Sequence, residues 1–312
     1  CDGDMDFAVG NLGHNTKYHP SFEKPQIVFY GDFDGTGIKQ IVEAKPGSDS
    51  LLPVRGRSCS SNAMPHLRTK FDSFHKFASS TLSEIYTQQC LDESLRLEAN
   101  TNSSGVLLND GKGRFQFVAF PPLAQAAPTF GMRVTYANQD EYPDLILAQN
   151  FNGPQRETGR MNGSVGALLL GTGDGHFTVA RADASGVLLP EDTVGLVEVV
   201  ANKQHRRFVV GVNSGTAVTL KSNAALKTLD VALEGSSTLI DGSQLQVTYE
   251  DGKNQIRQIS AGNGYLSHSG LNSVTFGYST DNPPKECTVI LSNGTSVKKL
   301  IENKDQIQFI LE

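Results

Sequence analysis

The sequence predicts an all-β fold. The expected architecture is a partial, N-terminally truncated set of short blades with a helical insertion, followed by a small antiparallel β domain. Three observations carry this. Four short apolar strands resemble one another, DFAVGN (6–11), QIVEAK (40–45), DLILAQN (144–150) and RFVVGVN (207–213), each after a polar loop. Two segments between them, GVLLNDGKGRFQFV (105–118) and GALLLGTGDGHFTV (166–179), each read as a strand, a Gly/Asp turn and a second strand. After about residue 222, apolar and polar residues alternate between Gly, Asp and Asn turns to the end of the chain.

Composition agrees with this class. The 312 residues include 31 glycines and 13 prolines but no tryptophan, and 38% are hydrophobic, which suits a turn-rich β protein with a real core. A net charge of −6, without clustered Lys and Arg, excludes nucleic acid as a partner. No apolar run reaches the length of a membrane span. Cys1, Cys59, Cys90 and Cys287 match no zinc spacing. Cys59 and Cys90 flank one segment, and a disulfide or two thiols are both open there.

The hairpins start at 105 and 166, and two of the apolar strands at 144 and 207. Both markers give a period of roughly 60 residues, the kind of repeat that builds a β-propeller, though a long one. The strands at 40 and 144 stand further apart than one period. The surplus falls on TKFDSFHKFASSTLSEIYTQQCLDESLRLEA (69–99), which lacks Gly and Pro and spaces its apolar residues helically. A helical insertion over about 69–98 is expected, with Phe71, Phe74, Phe77, Leu82, Ile85 and Tyr86 as its buried stripe. The propeller portion is then 1–221 and the β domain 222–312, of ordinary domain size.

The loops ahead of the strands carry the chemistry. Calcium takes several hard oxygens at once, so a loop of the form D-x-[DN]-x-[DN]-G-x-x-D alternates its carboxylates and turns on a glycine. The opening stretch CDGDMD fits the end of such a loop. Asp2 and Asp6 would give carboxylates and Asp4 a carbonyl, and the leading positions would lie upstream of Cys1. GDFDGTGIKQIV fits better, with Asp32, Asp34 and Thr36 at the first three ligand positions, Gly37 at the turn and Ile38 giving a carbonyl. Gln40 replaces the final carboxylate. A third copy, TYANQDEYPDLIL, keeps Asn138, Asp140 and Asp144, but Tyr136 and Glu141 replace the leading aspartate and the glycine. Such residues also form Asx turns without metal, and the third loop reads better as a turn and the second as a calcium (Ca2+) site. A fourth copy, VANKQHRRFVV, has no carboxylate and should bind no metal.

Together these loops, their strands and the LLNDGKGRF hairpin resemble the FG-GAP/VCBS repeats of integrin-alpha-like β-propellers. QIRQISAGNGYLSHSGLNSVTFGY resembles an ASPIC/UnbV domain, notably at Gly262, Gly264, Tyr265, Ser267, Phe276 and Gly277. Where that family carries a Trp-Pro-x-Gly turn, this chain has Leu291 and Ser292. The resemblance covers nearly the whole chain and is to the C-terminal half of the cartilage-acidic-protein-like family. It implies a secreted, periplasmic or cell-surface, calcium-binding and adhesive module.

NLGHNTKYH and RGRSC offer a basic and aromatic set on an acidic chain: His14, Asn15, Lys17, Tyr18, Arg55 and Arg57, with Arg160 joining them. Such groups suit an acidic glycan or a carboxylate-bearing extracellular protein; solvated loop residues with a buried arginine are the plainer reading. The competing function is a lyase-like enzyme acting on polysaccharide, with His14, His19 and Tyr18 as its candidate bases. No G-x-S-x-G, HExxH or phosphate loop is present, and Glu98, Asp183 and Glu191 stand alone. The non-enzymatic binding module is therefore the leading reading.

Overall fold

The computed structural model describes residues 3–202, 205–223, 226–260, 262, 264–268 and 272–311. Strands dominate and helices are few and short, so the fold is all-β in class. The chain packs as two compact units, Cys1–Thr16 with Ser103–Glu312, and Lys17–Asn102.

In the first unit, Phe7–Val9, Gly105–Asn109 and Phe115–Ala119 form a three-stranded antiparallel sheet. Thr129–Thr135, Asp144–Gln149, Ala167–Gly171 and Phe177–Val179 form a four-stranded antiparallel meander. Thr193–Asn202, His205–Val212 and Val218–Lys221 make a third antiparallel sheet. Both hairpins read from the sequence form, Leu107 opposite Phe117 and Leu170 opposite Thr178. Their turns need backbone that only glycine adopts easily: Gly111 and Gly113 have φ of 69° and 79°, Gly173 and Gly175 of 85° and 86°.

The strand Asp144–Gln149 is buried along its whole length, which explains its unbroken apolar run. Its alternate side chains serve two cores. Leu145 and Leu147 join Leu169, Val106 and Phe120, while Ile146 and Ala148 join Leu168, Leu196, Phe208 and Val210. The meander is thus apolar on both faces, each face packed against a different neighbouring sheet.

From Thr228 onward two further sheets enclose a core of their own, with Leu229, Val231, Leu245, Val247, Phe276, Val289 and Phe309 at its centre. Leu291 is buried there at 8% exposure. One sheet orders Asn254–Gln258, Gln244–Tyr249, Pro284–Ile290 and Ser296–Leu300, all antiparallel. The other departs from the antiparallel expectation: Thr228–Glu234 pairs antiparallel with Ser273–Gly277 but parallel with Gln306–Ile310. The chain leaves after Gly277, builds two strands of the other sheet and returns in its original direction, a crossover that a parallel pair requires.

The second unit holds a four-stranded antiparallel sheet in the order Leu51–Pro53, Gln40–Pro46, Gln26–Gly31, Leu95–Ala99. Ile27, Phe29, Val42 and Ala44 face a layer of short helices. The insertion differs from its expected bounds. Helices occupy Arg57–Ala63, Leu67–Lys70, Phe74–Ala78, Leu82–Tyr86 and Gln88–Asp92, while Leu95–Ala99 is a strand. Phe71, Phe77, Leu82, Ile85 and Tyr86 are buried as expected, but Phe74 is 64% exposed. The helix before it ends with Phe71 in extended backbone (φ −122°, ψ 93°), and Ser73 caps a new helix. The helical period is therefore broken before Phe74, which instead meets the Arg57 guanidinium at 5.2 Å. Among the described residues no disulfide forms, and Cys59, Cys90 and Cys287 are thiols. No helix among them is long and apolar enough to cross a membrane.

Candidate functional site

The second aspartate loop joins the strands Gln26–Gly31 and Gln40–Pro46 and closes around its own carboxylates. Asp32 Oδ1 accepts from the backbone N–H of Gly35 at 2.8 Å and of Asp34 at 3.3 Å, and Asp32 Oδ2 from Gly37 at 2.7 Å. Gly37 reaches that position with φ of 82°. Asp34 Oδ1 accepts from the Thr36 hydroxyl at 2.6 Å and from its N–H at 3.2 Å. Gln40 folds back so that its Oε1 accepts from Phe33 N–H at 2.8 Å. The Thr36 hydroxyl foremost, with the Gln40 and Asp32 side chains adding, holds the Asp34 carboxyl down to about 2. Four expected ligand side chains, Asp32, Asp34, Thr36 and Gln40, thus converge on one exposed loop tip.

In kind this donor set fits calcium: two carboxylates, a hydroxyl, an amide oxygen and the Ile38 carbonyl, with water to complete the shell. In charge it is modest. Among the described residues no group of three or more His, Cys, Asp or Glu converges, and this loop has two carboxylates only.

In the first loop, Asp2 lies outside the described residues. Asp6 Oδ1 accepts from Asn109 N–H at 2.8 Å. The Asp4 carboxylate lies over Gly111, where an added Cβ would come within 2.7 Å of Asp4 Oδ2. Both acids thus face the turn of the first hairpin. In the third loop, Asn138 Nδ2 donates to Asp140 Oδ2 at 2.6 Å, and Asp140 Oδ1 accepts from Tyr142 N–H at 2.8 Å, an Asx-turn pattern. Asp144 is fully buried, and its oxygens accept from the N–H groups of Ala137 at 2.6 Å and Gly171 at 2.9 Å. Burial pushes its carboxyl up to about 6, against the pull of those two donors.

The basic and aromatic set divides between the two compact units. In the first, His14 Nε2 bonds the Ser103 hydroxyl at 2.8 Å, Asn15 lies against Gly163, and Arg160 is exposed. In the second, Lys17 lies 5.2 Å from the centre of the Tyr18 ring, and the Tyr18 hydroxyl donates to Glu43 Oε2 at 3.3 Å. Arg55 grips the same Glu43 with Nε at 3.0 Å and Nη2 at 2.8 Å, and that carboxylate holds its pKa above the usual range. Arg57 donates from Nε to the Phe71 carbonyl at 2.6 Å and so ties two helices together. A carboxylate ligand at Arg55 would have to displace Glu43. Of the lyase candidates, His14 is engaged with Ser103 in the first unit and Tyr18 with Glu43 in the second.

Sequence reasoning passed over polar contacts at the ends of three of the repeated strands, made by the half-buried Asn11, the buried Asn150 and the exposed Asn213. Asn11 O accepts from Thr129 N–H at 3.0 Å. Asn150 Nδ2 donates to the carbonyls of Ser164, Pro190 and Glu191 at 2.9, 3.2 and 2.9 Å. Asn213 N–H donates to the Asp192 carbonyl at 2.8 Å. The signal was present, since DFAVGN, DLILAQN and RFVVGVN all end in asparagine.

No family model matches the chain, and no curated protein matches it either.

Proposed function

We propose that this chain is a calcium-stiffened, non-enzymatic binding module of a secreted, periplasmic or cell-surface protein. In this reading its antiparallel sheets are blades of an FG-GAP/VCBS-type propeller, and the segment from 222 is an ASPIC/UnbV-like domain. The observation that carries it is the convergence of Asp32, Asp34, Thr36 and Gln40 at the tip between two antiparallel strands. When bound, calcium supplies charge neutralisation that draws the two carboxylates together and fixes the loop. Loops fixed on a rigid scaffold commonly carry the binding surface. The partner class is an extracellular protein or an acidic glycan, for which the first unit offers the exposed His14 and Arg160 and the second, by itself, the exposed Lys17. Within the second unit, Arg55 is held by Glu43, which also accepts from Tyr18, and Arg57 by the Phe71 carbonyl.

With two carboxylates and a neutral Gln40, affinity falls in the range of extracellular calcium modules, about 10⁻⁴ to 10⁻³ M. Calcium at ten times the Kd then adds about 1.4 kcal/mol of stability. Thermal unfolding with calcium and with chelator, in the wild type and in Asp32→Ala/Asp34→Ala, tests this. A calcium-dependent Tm rise is expected in the wild type and none in the double variant. Equal responses would move the site elsewhere, and no response in either would leave the loop a metal-free turn.

A further inference from the structure

Three guanidinium groups meet two carboxylates at one place in the first unit. Arg206 makes the short bonds: Nη1 donates to Glu198 Oε1 and to Thr275 Oγ1, both at 2.6 Å, and Nη2 donates to Asp230. Glu198 therefore leans toward Arg206. Arg133 reaches only the other Glu198 oxygen, at 3.4 Å from Nε and 3.3 Å from Nη2. Arg257 is served less well still, with one bond from Nη1 to the Tyr136 hydroxyl at 3.4 Å. The three positive charges exceed the two negative ones, and the excess lies on the side of Arg133 and Arg257.

A cavity of about 30 Å³ opens there, lined by Arg133, Glu198, Arg257, Gln258, Ser260 and Thr275 among others. That is room for one or two water-sized particles. We propose that this cavity binds one small monovalent anion, chloride in size, between the guanidinium groups of Arg133 and Arg257.

The argument is one of charge and size together. Arg133 is largely buried, with a side chain 14% exposed, and the carboxylate it reaches among the described residues is Glu198, at long distances. A buried cation whose only carboxylate partner is claimed more strongly by another arginine is costly. Burial holds the Arg133 pKa below the usual range; Glu198 opposes this, while the like charges of Arg257 and Arg206 add to it. Water in the cavity would complete the hydrogen bonds but leave the charge uncompensated. A halide accepts from both forks at once and removes the excess. Phosphate or sulfate, with four oxygens about a central atom, exceeds the space; the rim side chains Gln258 and Ser260 donate to the carbonyls of Gly242 and Gly262, so the guanidinium groups are what would hold the anion.

The test is thermal unfolding of the full chain at fixed ionic strength in sodium chloride, sodium bromide and sodium gluconate, whose anion is too large to enter. Chloride and bromide are expected to raise Tm over gluconate by roughly 2–4 °C, rising with halide concentration as a single site. Arg257→Gln should lose the difference, and Arg181→Gln, at an exposed surface pair, should keep it. A bromide-soaked crystal should show an anomalous peak between Arg133 and Arg257, a readout that needs no variant to fold. Equal Tm in halide and gluconate, a halide response that survives Arg257→Gln, or a crystal without that peak would overturn the proposal.

Discussion

Asp144 is a carboxyl group that the fold treats severely. It is fully buried, and both oxygens receive backbone N–H groups. Burial disfavours the charge and the two donors favour it, and burial wins, taking the group from 3.8 to about 6. Because the folded pKa is raised, the folded state holds this proton more tightly than the unfolded chain does. The resulting stability is present in full below about pH 4 and is lost as pH rises through 6, about 3 kcal/mol from end to end. Urea denaturation between pH 4 and 7 should show that decline in the wild type and not in Asp144→Asn. Asn, like the protonated acid, is neutral and turns a donor toward one of the two N–H groups, so the variant should lie within about 1 kcal/mol of the wild type at pH 4 and be the more stable of the two at pH 7. A wild-type stability that climbs between pH 4 and 7 relative to the variant would contradict the assignment. Asp144 was legible in the sequence as the closing carboxylate of a loop that matched the calcium pattern in part and read better as a turn. Its burial was not, since that comes from the fully covered strand Asp144–Gln149 and from Gly171 on the neighbouring strand.

The helical layer turns on Thr87. Thr81 and Glu84 form a capping box for Leu82–Tyr86, in which Thr81 N–H donates to Glu84 Oε2 at 2.7 Å and Glu84 N–H to Thr81 Oγ1 at 3.3 Å. Thr87 then ends that helix and starts the next, with φ 64° and ψ 145°, while its hydroxyl accepts from Cys90 N–H at 3.3 Å. That backbone region is almost reserved for glycine, and a β-branched residue there stores about 1–3 kcal/mol. Thr87→Gly relieves the strain and gives up only a few tenths of the cap, whereas Thr87→Ala gives up about 1 kcal/mol of cap and keeps the strain. The glycine variant should therefore unfold at higher urea than the wild type, and the alanine variant at lower; the reverse order would mean that the strain is absent. The same element shows what a sequence can carry. Helical spacing located the layer and most of its buried stripe. It misjudged Phe74 and the ends because short capped helices restart the period at each cap, and because Leu95–Ala99 belongs to a sheet through pairing with Gln26–Gly31, residues distant in sequence. In the candidate site the residue types at Asp32, Asp34 and Thr36 were readable. The fold-back of Gln40 onto Phe33 and the capture of Arg55 by Glu43 were not, because both depend on neighbours set by strand register.

Across the whole first unit, the core built from Leu229 onward and the core around Leu196 and Phe208 share few apolar side chains. A buried ion network spans the gap. Arg206, on His205–Val212, joins Glu198 on Thr193–Asn202 to Asp230 on Thr228–Glu234, and Thr275 adds a bond to both Arg206 and Asp230. The side chains of Arg206 and Glu198 are 7% and 6% exposed, and that of Asp230 21%. Burial lowers the Arg206 pKa and its two carboxylates outweigh it, leaving the group above its usual range and charged at any ordinary pH. Such a network adds little when compared with an apolar replacement of every member, but removing one member leaves the others buried and uncompensated. Arg206→Leu should therefore cost about 3–5 kcal/mol in global stability. The loss should not be uniform. Hydrogen exchange should quicken first in Thr228–Glu234 and Ser273–Gly277, the strands the network holds, before it does in Asp144–Gln149, which is packed on both faces. A second change, Asp230→Asn in the Arg206→Leu background, removes one of the stranded charges and should recover part of the loss. If exchange quickens equally in all of these strands, or if the second change deepens the loss, the network is an internal feature of one core and does not tie the two together.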